Sequence, residues 1–446
     1  MKKKNIIVDS VVIGLALFST FFGAGNLIFP PAVGLESGTS WMWGAFGLLL
    51  SAIILPVLSI FAVNNAGNDA QCLMYHTHPK LYKIMSSVGW LFVGIGSTIP
   101  RCCATTHELG IANIFPNLSI WVTVVVFFVL VFLFAKDKDS VVDKLGKYLT
   151  PILLITIAVI LIKGIADPVG TPEPKAVENP FTSAVLQGYA IGDLTLGLMS
   201  ANIFIYAMRA KGYPRATEKR GIMLAGFICI IAMSAIYGCL TYIGATGSSI
   251  YPQGTPQTAL LSGLVDLIMG KVGLVFFGVT VLLACLTTAV GVVTTIASFY
   301  EGFFRNKISY RTILIAMCIV CGLMASTGVA NIIDYVTPIF LCMYPPFIAM
   351  TMLGLFDKYI PNDGIYKGGV FTALAIGACE AVMHLFPGFT LLGNILSFIP
   401  LYEYGFTWVV PSVAAMIIGG IMCRNKPRQY YVEEKAPVTI QAENAG

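Results

Sequence analysis

Three short stretches place polar chemistry inside apolar sequence. The first is Phe21-Phe22-Gly23-Ala24-Gly25-Asn26-Leu27-Ile28-Phe29-Pro30-Pro31, where Gly23 to Asn26 interrupt a run that otherwise reads as one membrane helix. The second is Gln187 to Gly197, in which Gly188, Gly192 and Gly197 weaken a helix and Asp193 adds a carboxylate. The third is Ala284-Cys285-Leu286-Thr287-Thr288, two adjacent hydroxyls in an apolar helix. In hydrocarbon an unpaired backbone N–H or C=O costs several kcal/mol, so a helix breaks at depth only where protein, water or a ligand satisfies the freed groups. N–H groups at a half-helix N-terminus suit a carboxylate. An acid beside glycines can accept an ammonium, assist a cation or carry a proton. Hydroxyls together with released carbonyls supply the hard oxygens a small cation needs. This is the chemistry of holding a small charged solute near the bilayer midplane. Each feature also has a plainer reading. Gly23 and Gly25 suit close helix packing, Asp193 suits a helix cap, and Thr287 and Thr288 can bond back to carbonyls one turn earlier. The sequence leaves both readings open.

The elements that carry these residues must lie in lipid. The chain has 446 residues, 57% hydrophobic and 11% charged, with mean hydropathy +0.82, where a soluble domain carries about 25% charged residues. At about 20 residues per helical span, about twelve candidate spans appear, near 8–30, 41–63, 84–106, 119–135, 148–165, 184–207, 221–243, 273–299, 312–327, 334–355, 369–386 and 405–423. Strands of a transmembrane barrel would alternate over about ten residues each, and no such pattern is present. A cleaved signal peptide is not expected, because the first apolar run is long and lacks a small-residue cleavage site. With both termini placed in the cytoplasm, all Lys and Arg except Arg101, Lys163, Lys175 and Lys271 fall in cytoplasmic stretches, as the positive-inside rule requires. The net charge of +5 then reflects topology and leaves no patch suited to nucleic acid. The eleven Cys are scattered and read as apolar fillers, not disulfides. The four His (76, 78, 107 and 384) are spread between a cytoplasmic loop and distant spans and form no catalytic constellation, so an enzyme and an enzymatic cofactor are not expected. Polar stretches near 167–179 and 244–271 read as loops, the latter with a short amphipathic helix over 259–269, and the tail after Cys423 reads as disordered. Arg101, at the end of the third span, either snorkels to the interface or acts in gating or fold. Glu380 and His384, four apart on one helical face, are spaced to pair.

The two breaks fall in the first and sixth spans, the corresponding members of two five-span inverted repeats, which is the best sequence pointer to a transporter site. The organisation expected is a single all-α integral membrane domain over 1–446. Repeat one covers about 8–165 and repeat two about 184–355. Two extra helices lie within about 369–423, followed by a cytoplasmic tail at 424–446.

Ala-x-Leu-Thr-Thr in span eight, with Gly-x-Gly-Asn in span one, resembles the sodium site of the LeuT-like five-plus-five fold. That resemblance implies Na⁺ ligation by the carbonyls of Ser19, Phe22 and Ala284 and the hydroxyls of Thr287 and Thr288. It also implies that the Gly23, Ala24, Gly25 and Asn26 backbone faces a substrate carboxylate; Gly192 and Asp193, in the second break, are the other candidate substrate-binding residues. The segment 21–31, Ile-Pro-Arg at 99–101, Gly188, Tyr189 and Asp193, and Leu-Thr-Thr-Ala-Val-Gly at 286–291 resemble the bacterial branched-chain amino acid:cation symporter family (LIVCS, BrnQ-type carriers) over nearly the whole chain. Ile-Gly-Asp-Leu-Thr at 191–195 departs from the family's Thr-Met-Asp-Ala-Leu. The resemblance implies a secondary active symporter of the bacterial plasma membrane that imports Leu, Ile and Val with Na⁺. The alternatives are a proton-coupled carrier of other neutral amino acids or a non-transporting membrane sensor. Some relatives of the fold place a Lys of span five where sodium sits, and the interior of span five here, 149–162, has none.

Overall fold

The computed structural model describes residues 5–136, 141–388, 390–426 and 428. Among these every regular element is helical. The first half of the chain forms α1 (Ile6–Phe21), α2 (Ala24–Ser37), α3 (Trp41–Leu49), α4 (Leu55–Ala66), α5 (Ala70–Tyr75), α6 (Leu81–Gly89), α7 (Ile99–Thr106), α8 (Ala112–Ile114), α9 (Ile120–Ala135) and α10 (Val141–Ala166). The second forms α11 (Pro180–Tyr189), α12 (Asp193–Ala210), α13 (Arg215–Thr246), α14 (Gln257–Phe303), α15 (Tyr310–Ala325), α16 (Val329–Leu355), α17 (Asp363–Leu385), α18 (Thr390–Leu396) and α19 (Val409–Met422). A helix stands over each apolar stretch expected to span. By length and composition five helical runs are long enough to cross a membrane alone, and the pair α11–α12, bent by 52° at its break, makes a sixth. Helices α1, α9, α15 and α19 are shorter apolar helices.

Helix α9 shows why lipid is the solvent. It buries Val124, Phe127, Phe128 and Val131 on one side while Trp121, Val122, Val125, Val126 and Val129 face outward. In water such an outward stripe would demand a partner; in hydrocarbon it needs none.

Three features differ from the sequence reading. The first span does not stop at residue 30: α2 carries Pro30 and Pro31 in its interior and runs to Ser37. Membrane helices tolerate such prolines because neighbours re-satisfy the freed backbone groups. Here α13 packs directly on them, close enough that a Cβ at Gly244 would lie 2.1 Å from the Pro31 carbonyl oxygen and one at Gly34 1.9 Å from that of Thr241. Second, π-type turns at Leu50–Ile54, Trp90–Thr98 and His107–Ile111 widen the second and third spans, a local change that no residue pattern announces. Third, the short helix expected over 259–269 is the first limb of α14, set off by Gly270 at φ 70°, ψ 179°, a conformation that requires glycine. All eleven Cys are free. The 167–179 segment is not helical and packs onto the α2–α3 corner, where Thr39 N–H donates to the Glu173 carbonyl at 2.8 Å and Ala176 N–H to that of Glu36 at 2.9 Å.

The tail is not wholly loose. Residues 427 and 429–446 lie outside those described, but Arg428 inserts between loops. Its guanidinium donates to the Asp357 carboxylate, to the Asp357 carbonyl at 2.7 Å and to His76 Nε2 at 3.2 Å. His76 Nδ1 pairs with Asp363 Oδ1 at 2.9 Å. Burial first, and Arg428 second, push the His76 imidazole below its ordinary pKa. The neutral ring therefore donates from Nδ1 and accepts at Nε2. Because the folded value is depressed, this arrangement is complete above the ordinary value of 6.5 and weakens as pH falls through it toward the folded value. Replacing Arg428 with alanine leaves the buried carboxylates of Asp357 and Asp363 without their arginine and should cost roughly 3 kcal/mol. Thermal unfolding in detergent at pH 7.5 checks it, and no shift in midpoint would make the contact incidental.

Candidate functional site

The two breaks form as local sequence dictates, and one side chain joins them. Phe22 takes extended angles (φ −77°, ψ 91°) and ends α1. Gly23, also extended, is the N-cap of α2. Asn26 sits at the third position of α2 and reaches back, its Oδ1 accepting the Gly23 N–H at 3.0 Å. In a continuing helix that N–H would go to the Ser19 carbonyl; the amide side chain therefore stabilises the break. With Oδ1 engaged, Asn26 Nδ2 faces across to the sixth span and donates to Asp193 Oδ2 at 2.6 Å and to the Tyr237 hydroxyl of α13 at 2.7 Å. Asn26 and Asp193 are 2% and 5% exposed. The bond between them is thus shielded from solvent, where a charge-assisted bond is strong.

The sixth-span break is built by a glycine and an arginine. Gly192 has φ 93°, in the left-handed region, and a Cβ there would meet Val93 at 3.2 Å and Phe340 at 3.3 Å. Ala190, Ile191 and Gly192 donate back three residues instead of four, tightening the last turn of α11. Arg101 crosses from α7 to the carbonyls this exposes, with Nη1 on Ala190 O and Nη2 on Ile191 O, both at 2.9 Å. A cation at a helix C-terminus is favourable. Arg101 is 3% exposed, so it does not snorkel. At the start of α12 the Tyr344 hydroxyl accepts the Leu194 N–H at 3.2 Å, satisfying a first-turn donor.

The cap reading of Asp193 is corrected by this geometry. Gly192 is the N-cap, and Asp193 is the first helical residue with its carboxylate turned to Asn26. The close helix packing expected of Gly23 and Gly25 is found at other glycines. Gly188 and Gly197 do pack, since a Cβ would come within 1.9 Å of Ser51 Oγ and 2.6 Å of Ser59 Oγ respectively. Gly25 instead faces Arg101, whose Nη2 would lie 2.9 Å from a Cβ, and Gly23 has only ordinary contacts at 3.8 Å and beyond.

Gly23, Ala24, Gly25, Asn26, Gly192 and Asp193 all line one cavity, with Arg101, Trp90, Val93, Thr98 and Thr288 among its other walls. The space left is about 30 Å³, room for a water or two and too little for an amino acid. The remaining cation candidates are placed differently. Thr287 Oγ1 donates to the Ala284 carbonyl at 2.9 Å, which is the back-bonding geometry. With its proton engaged, that hydroxyl still presents lone pairs. The Thr288 methyl would lie 3.9 Å from a Cβ at Gly23, so α14 meets the first break. Phe22 is buried and Ser19 exposed, and neither, like Ala284 and Thr287, lines the cavity. Glu380 and His384 form no ion pair among the described residues. Tyr237, Tyr344 and Trp90 were not anticipated; the only sequence signal for the tyrosines was a hydroxyl in an otherwise apolar span.

Comparison with known proteins agrees with this architecture. The chain resembles a crystal structure of MhsT in complex with L-phenylalanine, with TM-score 0.52 at 16% identity over 92% of this chain and 97% of that one. It also resembles the Eremococcus coleocola manganese transporter, with TM-score 0.58 at 13% identity over 94% and 95%. The fold is LeuT-like. Among curated sequences it is 30% identical over 440 residues to the Bacillus subtilis branched-chain amino acid permease BrnQ, covering 95% of this chain and 98% of the relative. It is 29% identical to BraB of the same organism over 95% and 97%, and 27% identical to BrnQ of Escherichia coli K12 over 94% and 97%. All three are named permeases, not enzymes. A family model described as branched-chain amino acid transport protein matches residues 6–426. The chain is a multi-pass membrane protein and belongs to the branched-chain amino acid transport protein family.

Proposed function

We propose that this protein imports Leu, Ile and Val across the bacterial plasma membrane by symport with Na⁺, both termini lying in the cytoplasm. The observation that carries the reading is the Asn26–Asp193 bond, which ties two helix breaks together around one buried cavity. First-turn N–H groups of α2 suit the substrate carboxylate and Asp193 suits its ammonium. A second net charge on the substrate would have no partner in low dielectric. Ion and substrate stabilise the same outward-facing state, and that shared preference couples their movement. Because the cavity is contracted, loading requires the half-helices around the breaks to separate.

Uptake of labelled leucine into proteoliposomes with imposed gradients tests this. An inward Na⁺ gradient should drive accumulation. Accumulation driven by a proton gradient alone would transfer the coupling role to a proton, for which Asp193 is the candidate carrier because its hydrogen-bond partner Asn26 is neutral. In the same assay unlabelled Ile and Val should compete with leucine, with discrimination of about 1–3 kcal/mol per methylene at most. Lys, Arg, Asp and Glu should not compete, and competition by them would remove the branched-chain assignment.

The cation arm is tested at Thr287 and Thr288. Replacing both with valine keeps shape and removes two oxygens. The Na⁺ concentration for half-maximal uptake should rise by at least about tenfold, the equivalent of about 1.4 kcal/mol. An unchanged Na⁺ dependence would reduce both hydroxyls to back-bonding.

A further inference from the structure

The geometry points to Arg101 as the side chain that takes the carboxylate of the transported amino acid. This rests on the amino acid transport reading and adds a charged anchor to it. Arginine carries five N–H donors in a rigid fork, and here one on Nη1 and one on Nη2 are used, on the Ala190 and Ile191 carbonyls. The other three meet no acceptor among the described residues. The guanidinium is buried, lines the cavity and lies against Gly25 in the first turn of α2. No carboxylate lies within salt-bridge distance of it among the described residues, and the nearby Asp193 oxygen Oδ2 is engaged by Asn26. A buried cation with no counter-ion in contact is costly, and the field of the α2 N-terminus on the same spot adds to that cost. An anion seated between Arg101 and the Ala24–Gly25 backbone, once the half-helices separate, would relieve both at once. Asp193, on the same cavity, matches the opposite end of a zwitterion. The two carbonyl bonds hold the fork aimed at this place, so little side-chain freedom is lost when a carboxylate binds.

The test compares leucine with leucinamide, which keeps the ammonium and side chain but lacks the negative charge. Each is used to displace labelled leucine from the purified full-length wild-type protein and from Arg101→Gln and Arg101→Lys. The wild type should prefer leucine over leucinamide. In Arg101→Gln, leucine affinity should fall by at least about tenfold, the scale of one hydrogen bond to a charged group, while leucinamide changes by less than about threefold, so the preference collapses. Arg101→Lys, which keeps the charge but not the fork, should retain a reduced preference and serves alone if the glutamine variant does not fold. Equal weakening of both ligands in the variants would make Arg101 only a brace for the α11–α12 turn and overturn the assignment. So would a wild type that binds leucinamide as tightly as leucine. Failure of the wild type to bind leucine at all would instead overturn the transport reading, and this assignment with it.

Discussion

Gly25→Leu is expected to abolish uptake while the protein remains inserted and folded. Position 25 lies in the first turn of α2, and a Cβ there would sit 2.9 Å from Arg101 Nη2 and 3.1 Å from Cζ. The guanidinium cannot move aside freely, because its two bonds to Ala190 and Ile191 hold the break in the sixth span. A side chain at 25 therefore either displaces Arg101 from those carbonyls or fills the cavity itself. A displacement of about 1 Å at a binding site can cost about 100-fold, and a leucine side chain needs more than that. Gly25→Ala should be intermediate, reducing uptake by at least about tenfold on the same reasoning. Uptake per inserted molecule, measured against surface-exposed protein, checks both. Normal uptake by a well-inserted Gly25→Leu would mean that the first break does not contact substrate.

Asp193→Asn should cut uptake by more than about 100-fold with little change in thermal stability. The substitution keeps size and leaves an amide oxygen that can still accept from Asn26 Nδ2, now 2.6 Å from Asp193 Oδ2. The link between the breaks survives and only the charge is lost. Losing a charge-assisted bond costs about 1.5–3 kcal/mol, and relief of a buried charge offsets much of it. Transport is different: the ammonium, or the coupling cation, loses the one carboxylate that lines the cavity among the described residues, in low dielectric. Thermal midpoint and uptake are to be measured on one preparation. Retained uptake would leave Asp193 as a structural tie, and a large fall in midpoint would show that the charge holds the fold.

Much of this arrangement was legible in the chain. Composition fixes lipid as the solvent, because 57% hydrophobic residues cannot be hidden in a soluble core of this size. The spacing of apolar runs places the helices, since about 20 residues are needed per span. Gly23 and Gly192 mark where the helices part, because broken backbone at depth is tolerated only beside a cavity or buried in protein. These are local properties, and local sequence carries them.

What the sequence did not contain are relations between distant residues. Asn26 reads as one more polar residue in a break; only the fold brings it 2.6 Å from an acid 167 positions later. Arg101 left snorkelling and inward roles equally open. Its direction was decided by which carbonyls the α11 terminus exposes and by how closely α7 approaches Gly25, both consequences of packing across the bundle. Asp193 was a plausible cap until the left-handed turn at Gly192 moved the cap one residue earlier. The solvent, the helices and the places where they break follow from local composition and spacing. The tertiary structure alone decided what each freed polar group meets, because hydrogen-bond partners across a membrane bundle are chosen by approach distances that no single segment encodes.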